Sequence, residues 1–325
     1  AQAPSWSNGI IDYGLDSSNV FCAVSHNGDG ETIGFWRDGS DTSAVYKLVK
    51  WNGSSWNLLS SFTVAASLAG SSSNDDVSLA IDSIGGYHVA FRLNDNSADL
   101  VNGRRVIMYG YSANGSTWTF KDVYRTNSSP NGSFNTDDPL VRIDSNNRPH
   151  IAFRTSDSSG SRFYAIRHHY FDGTAWTGEQ AYGQGGGSGT PNEVTRLSYQ
   201  IDHNDKSHLA IVVELNGSGT DGSLAYLNNT SGSWSSLNVL ATGASGNAAA
   251  LNVSLVVDSG NKIHIARQDN SRGLYYHTNS SGAFTSARIG TELTGGLDHG
   301  SLSINSADHL FLGYNASPTV TNTGA

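Results

Sequence analysis

The chain has 325 residues, enough for a large core. Its net charge is −9 with no basic run or stripe, which argues against a nucleic-acid or anionic-membrane partner. Charged residues are scarce at 14% while aromatics reach 10%, and Gly, Ser, Asn and Thr are abundant, which excludes a disordered chain and suits many short strands joined by polar turns. No apolar run approaches a membrane span, so no membrane insertion is expected, and the single Cys22 allows neither an intrachain disulfide nor a cysteine-held zinc ion.

The chain begins AQA without Met, which reads as a processed start: signal-peptide removal, trimming, or cutting of a virion protein during assembly. The expected location is therefore extracellular or on a surface. Strands are predicted at 20–25, 32–36, 45–51 and 56–64, with Cys22 as a buried inert thiol in the first. Then comes VSLAIDSIGGYHVAFR at 77–92, and this pattern recurs. Residues 139–154 read PLVRIDSNNRPHIAFR, 197–212 LSYQIDHNDKSHLAIV, 253–268 VSLVVDSGNKIHIARQ, and 301–314 a shortened SLSINSADHLFLGY. In each copy an apolar strand ends in Asp or Asn, a turn follows, and a His opens a second apolar strand. Two more strands complete each unit: 106–111 with 117–124, 163–170 with 175–182, 224–228 with 233–240, and 274–278 with 283–289. An aromatic marks the fourth strand: Trp56, Trp118, Trp176, Trp234 and Phe284.

The aspartates Asp82, Asp144, Asp202 and Asp258 follow at intervals of 62, 58 and 56 residues. Four antiparallel strands per unit of this length is the pattern of propeller blades, so the fold class expected is all-β, a six-bladed β-propeller in one domain, 1–325. The last unit (297–325) lacks a fourth strand. PSWSNGIIDYG near the N-terminus matches GSWSSLNVLAT at 232–242, so residues 4–14 are predicted to complete that blade and close the ring, removing exposed edges.

The repeated His88, His150, His208, His264 and His309 read as structural. Metal ligands must converge within about 2.0–2.1 Å of one ion, and equivalent positions in separate blades diverge. No metal site is assigned, although Ca²⁺ among the rim carboxylates stays open. The repeated Asp reads as a turn cap. The segment 112–118, SANGSTW, resembles the Asp-box of sialidases and related propellers, with Asn114 where that family has Asp and one residue fewer before the Gly. WNGSSW, FDGTAW and NTSGSW occupy the same turn. The resemblance implies a structural turn and a propeller fold, not an activity; the arginine triad, Tyr/Glu pair and catalytic Asp of sialidases are not placed here.

The opposite strand ends carry the candidate site. Counting hairpin register sets Asp76 against Arg92, Asp138 against Arg154, Glu193 near Glu214 and Asn252 near Gln268, with Trp36, Arg37, Arg267, Asp298 and His299 on the same rim. Such a rim either holds plain cross-strand ion pairs or binds a sugar or acidic ligand through Arg forks. His168–His169 breaks the repeat. Ulvan lyases and related polysaccharide lyases are propellers using two histidines, a Tyr and an Arg, and His150, His169 and Arg154 are weakly similar to that set; a lyase needs a base and a cation beside the uronate carboxylate. The reading taken first is a non-enzymatic, lectin-like binding propeller recognising glycan or a protein partner. The alternatives are a glycan-cleaving enzyme, either lyase or sialidase-like glycosidase, and a structural or decoration component of a virion or cell surface.

Overall fold

Apolar residues alternating with small polar ones, closed by Asp and a tight turn, fold each repeat into hairpins. The computed structural model describes residues 21–26, 32–38, 45–63, 77–95, 104–126, 136–156, 165–183, 193–215, 222–243, 250, 252–269, 273–289 and 300–314, and every regular element among them is a strand. The first sheet runs β1 (Phe21–His26), β2 (Thr32–Asp38), β3 (Val45–Trp51), β4 (Trp56–Thr63). The second runs β5 (Val77–Ile81), β6 (Tyr87–Asp95), β7 (Arg104–Ser112), β8 (Thr119–Arg125), and the third β9 (Thr136–Ile143), β10 (Pro149–Thr155), β11 (Ala165–Phe171), β12 (Trp176–Gly183). The fourth runs β13 (Val194–Ile201), β14 (Ser207–Glu214), β15 (Gly222–Asn228), β16 (Asn238–Ala241), and the fifth β17 (Asn252–Val257), β18 (Ile263–Gln268), β19 (Leu274–Thr278), β20 (Thr285–Arg288). A last pair, β21 (Gly300–Ile304) and β22 (Leu310–Tyr314), forms a two-stranded sheet. Each four-stranded sheet takes its strands in chain order, and the strand pairs are antiparallel, as a blade requires. The strand predicted at 4–14, and with it the closure of the last sheet, lies outside the described residues.

The chain divides into two compact units, 1–161 with 168–179, and 162–167 with 180–325. In the first, the leading strands β1, β5 and β9 lie side by side; in the second, β13, β17 and β21 do. Serines of one leading strand fasten the next: Val141 N–H donates to Ser78 Oγ at 3.0 Å, Leu255 N–H to Ser198 Oγ at 2.9 Å, and Leu302 N–H to Ser254 Oγ at 2.9 Å. Core fills the space between sheets. In the first unit Phe35, Tyr46, Leu48 and Phe91 are fully buried beside Phe62 and Trp118, and Ile107, Val141, Ile151 and Phe153 form a second cluster under Trp176. In the second unit Val212, Leu224, Leu255 and Ile265 pack with Phe284. The aromatic that marks the fourth strand thus reaches across onto the preceding sheet: Trp118 Nε1 donates to Ser60 Oγ at 3.1 Å, Trp176 lies 5.1 Å from Tyr109, and Phe284 lies 5.1 Å from Tyr226. One predicted strand is shortened. Residues 233–240 contribute only β16, because Ser235 bonds twice to Asn228 and widens the turn.

The repeated aspartate uses both oxygens. Oδ1 of Asp82 accepts from the N–H groups of Ile84 and Gly86 at 3.0 and 2.6 Å, closing the turn, while Oδ2 takes His88 Nε2 at 3.0 Å. His88 Nδ1 in turn accepts from the Tyr109 hydroxyl at 2.6 Å. Asp202–His208–Tyr226 repeats this at 3.1 and 2.6 Å, and Asp258–His264–Tyr276 at 3.1 and 2.5 Å. The repeated histidines are structural in these sheets. Burial pushes His88 and His208 below the usual histidine range despite the aspartate beside each, and it pushes the Tyr109 and Tyr226 phenols up. The Asp-box-like turns are also structural: Asn52, Asn114 and Asp172 each cap two backbone N–H groups next to a glycine at positive φ, and those bonds hold the exposed Asp172 carboxyl down at about 2.

Two sheets exchange bulk at one cross-strand pair. In the second, Gly110 lies opposite Phe120, and an added Cβ would meet the Phe120 ring at 2.8 Å. In the third, a Cβ on Gly178 would sit 2.4 Å from His169, whose ring packs against Tyr124 and Phe153. Gly178→Ala is therefore expected to cost roughly 1–3 kcal/mol in urea unfolding, and an unchanged midpoint would show that His169 is free to move. Tyr226→Phe, which removes the hydroxyl that His208 Nδ1 accepts from, is expected to cost about 1–3 kcal/mol. Because the folded pKa values of His88 and His208 lie below the unfolded value near 6.5, the unfolded chain takes up more protons as pH falls. Stability should be full above about pH 6.5 and decline below it, which unfolding free energies at pH 7 and pH 5 will measure.

Candidate functional site

The Asp–His turns sit at one end of the strand pairs, so Arg37, Arg92, Arg154 and Arg267 sit at the other. All four arginines are buried, at 1, 5, 6 and 8% exposure, which a guanidinium tolerates only where carboxylates, other polar acceptors or aromatic faces satisfy it. In the first unit the partners converge. Arg92 Nη1 donates to Asp137 Oδ1 at 3.2 Å, from the neighbouring sheet, and to the Thr136 carbonyl at 3.4 Å. Arg154 Nη2 meets Asp137 Oδ2 at 3.3 Å and Asp138 Oδ2 at 2.6 Å. Asp137 is thus bridged by two arginines and its side chain is 8% exposed. Asp138 stays 25% exposed on the same fork.

The register explains how two consecutive aspartates face one guanidinium. Leu140 pairs with Ala152, but Arg154 pairs with Asp137, not Asp138, because a β-bulge intervenes. Asp138 occupies the bulge with φ of +50°, just before Pro139. The counted pairing of Asp138 with Arg154 is corrected to this extent, although the two side chains still meet. Among the described residues Arg92 contacts Asp137; Asp76 lies outside them. Sequence reasoning missed Asp137, and the signal was Pro139. A proline inside a paired strand has no N–H to give and belongs at a bulge.

The second unit has different chemistry at its strand ends. Glu214 N–H donates to the Glu193 carbonyl at 2.8 Å, which brings the two acids together, and Glu214 is 6% exposed. Asn252 pairs with Gln268. Arg267 Nε donates to His277 Nε2 at 2.9 Å, and its guanidinium lies 4.0 Å over the Tyr275 ring. Burial, then the Arg267 charge, pushes His277 down to about 4, so it stays a neutral acceptor. The side chain of Trp36, and all of Asp298 and His299, lie outside the described residues. Among the described residues no group of three or more His, Cys, Asp or Glu side chains is placed to hold a metal ion.

The lyase-like trio is not brought together. His150 sits by the turn end of β10 and Arg154 near its far end, about 13 Å away along an extended strand. His150 Nε2 lies 3.5 Å from Asp144 Oδ2, and its Nδ1 meets His168 Nε2 at 3.2 Å, where the other sheets have a tyrosine hydroxyl. His168 Nδ1 donates to Glu179 Oε1 at 2.8 Å. His169 points to the other face, onto Tyr124 and Phe153.

No known protein-family profile matches the sequence, and no curated protein does. Solved structures do match in fold. An α-L-arabinanase of Penicillium chrysogenum, complexed with arabinobiose, aligns at 11% identity over 95% of this chain and 96% of its own, with a TM-score of 0.59. The α-L-arabinofuranosidase Arb93A of Fusarium graminearum aligns at 11% identity over 93% and 88%, with a TM-score of 0.57. The sialidase NanB of Streptococcus pneumoniae aligns at 10% identity over 95% of this chain and 67% of its own, with a TM-score of 0.54. At such identities the likeness shows the fold: this is an all-β protein of antiparallel four-stranded blades, a β-propeller. The same neighbours overturn the expectation of a non-enzymatic binder, since they are glycan-cleaving enzymes and favour the alternative reading.

Proposed function

We propose that this protein is a glycan-cleaving enzyme, a glycosidase, and that it works at the strand ends where Arg92, Asp137, Arg154 and Asp138 meet. The observation that carries this reading is the pair of consecutive aspartates drawn onto one buried guanidinium by a bulge. Glycoside hydrolysis uses two carboxyl groups beside the bond to be broken. Oxygens of Asp137 and Asp138 both lie on Arg154 Nη2, which keeps them no more than about 6 Å apart, a span that includes the separation of a retaining pair. Asp138, the more exposed and kept ionised by the Arg154 guanidinium, is the carboxylate that reaches substrate: it bonds to the anomeric carbon as the glycosidic oxygen leaves with a proton from water, and a second water hydrolyses the resulting glycosyl ester. Asp137 is the fixed negative charge beside the developing oxocarbenium ion, and Arg92 and Arg154 hold it in place.

The fold neighbours lend support in substrate class: one is complexed with arabinobiose, another is an arabinofuranosidase and a third a sialidase. A polymeric glycan substrate would place the protein outside the cell or at a surface. The test is turnover of arabinan, a chromogenic α-L-arabinofuranoside and a fluorogenic sialoside, followed by Asp138→Asn on whichever is cleaved. Asp138→Asn is expected to lower kcat by about 10²–10⁴-fold with the unfolding midpoint retained. Full activity in that variant, or no cleavage of any of the three by the wild-type protein, would overturn the reading.

A further inference from the structure

A second concave site lies at the turn end, away from the arginines. It is a cleft of about 340 Å³ between the second and third sheets, within the first unit, and a volume of that size suits a small ligand. Tyr109 pairs with Lys121 and Tyr111 with Thr119 across β7 and β8, so these four side chains share the face that forms one wall. Trp176 and Phe171 form the other, their rings 6.0 Å apart, with Trp176 edge-on to Tyr109.

The polar groups at this cleft are unequal. Its carboxylate, Asp82, is committed: Oδ1 accepts two backbone N–H groups and Oδ2 takes His88. The Thr119 hydroxyl donates to the Tyr111 carbonyl at 3.4 Å, which leaves the Lys121 ammonium at the exposed lip beside aromatic faces. Lys121 is the cation among the lining residues, and its charge favours an anionic ligand over a neutral sugar. A ligand with one apolar face for the rings and one anionic group for Lys121 complements the cleft. The repeat supplies no such site by default. Lys121 corresponds to Glu179 in the third sheet, where His168 takes the carboxylate, and to Leu59 in the first.

We propose that this cleft binds a six-membered ring carrying a carboxylate, and specifically a hexuronate residue of an acidic glycan, stacked on Trp176 and Tyr111 with its carboxylate on Lys121. This goes beyond the hydrolytic reading and does not depend on it, since the readout is binding alone. The experiment is isothermal titration of the intact chain with tetragalacturonate, maltotetraose and benzoate. Saturable binding of tetragalacturonate is expected, at least tenfold weaker in Lys121→Glu and unchanged within about twofold in Arg288→Ala, which removes an exposed cation of the fifth sheet. Lys121 is exposed, so its variant will fold, and an unchanged unfolding midpoint will confirm this. Absent tetragalacturonate binding, equal binding of maltotetraose, or indifference to Lys121→Glu would each overturn the proposal. Binding of benzoate without tetragalacturonate would overturn the sugar assignment.

Discussion

The constraint on which the architecture depends is a buried carboxylate with no spare oxygen. Asp82 and its counterparts end the first strand of a sheet, cap the turn with one oxygen, and grip the second strand's histidine with the other; the histidine then holds a tyrosine on the third strand. Three strands are tied by side chains whose polar atoms are costly to remove, because each bond is worth only about 0.5–1.5 kcal/mol while an orphaned buried group costs about 1–3 kcal/mol. The same turn also carries the link to the next sheet. Asn147, at φ of +60°, accepts from Ser83 N–H of the preceding turn at 3.0 Å; Asn261 does so for His203 and Asp308 for Ser259, both at 2.9 Å. A residue that can enter the left-handed region and accept a hydrogen bond is needed there, and Asn or Asp meets both demands.

This explains why so much of the fold could be read from the chain. A turn that fixes Asp, an αL residue and His at constant offsets leaves a periodic mark, and strands follow from apolar alternation between the marks. The marks fade where geometry is irregular. The start of β16 leaves no mark because Ser235 holds a wide turn that has no residue signature of its own. The bulge at Asp138 is hidden because a one-residue slip leaves the apolar pattern of PLVRID intact, and Pro139 is its trace. A pairing across sheets, Arg92 with Asp137, is invisible to any counting within a hairpin.

Buried arginines at the other strand ends are the opposite case. An ion cluster such as Arg92–Asp137–Arg154–Asp138 is seldom the most stable way to fill a site, since well-packed apolar residues of similar volume are often as good or better. The turn end already supplies the specificity of pairing, so the cluster is not needed to set register; its bulge in fact disturbs register. What the cluster provides is a carboxylate held at a fixed distance from another by a cation that cannot lose its proton.

Repetition, which a lectin-like binding surface would show, holds at only one end of the strands. At the turn end, the second, fourth and fifth sheets carry Asp, His and Tyr, while His309 of the last pair lies exposed in its turn with its backbone N–H on Asn305 Oδ1. At the other end, the third sheet has two aspartates on an arginine, the fourth two glutamates linked through their backbones, and the fifth an arginine on a neutral histidine beside an Asn–Gln pair. Unlike groups at equivalent positions are what catalysis needs and what a repeated lectin surface does not. The third sheet departs even at the turn end, where His168 replaces tyrosine. There, donor counting is tight: if His168 gives its proton to Glu179, His150 must donate from Nδ1, which turns a lone pair toward Asp144, and that contact is the long one at 3.5 Å. The sheet that carries the paired aspartates at one end is thus also the one in which the structural triad is loosest at the other.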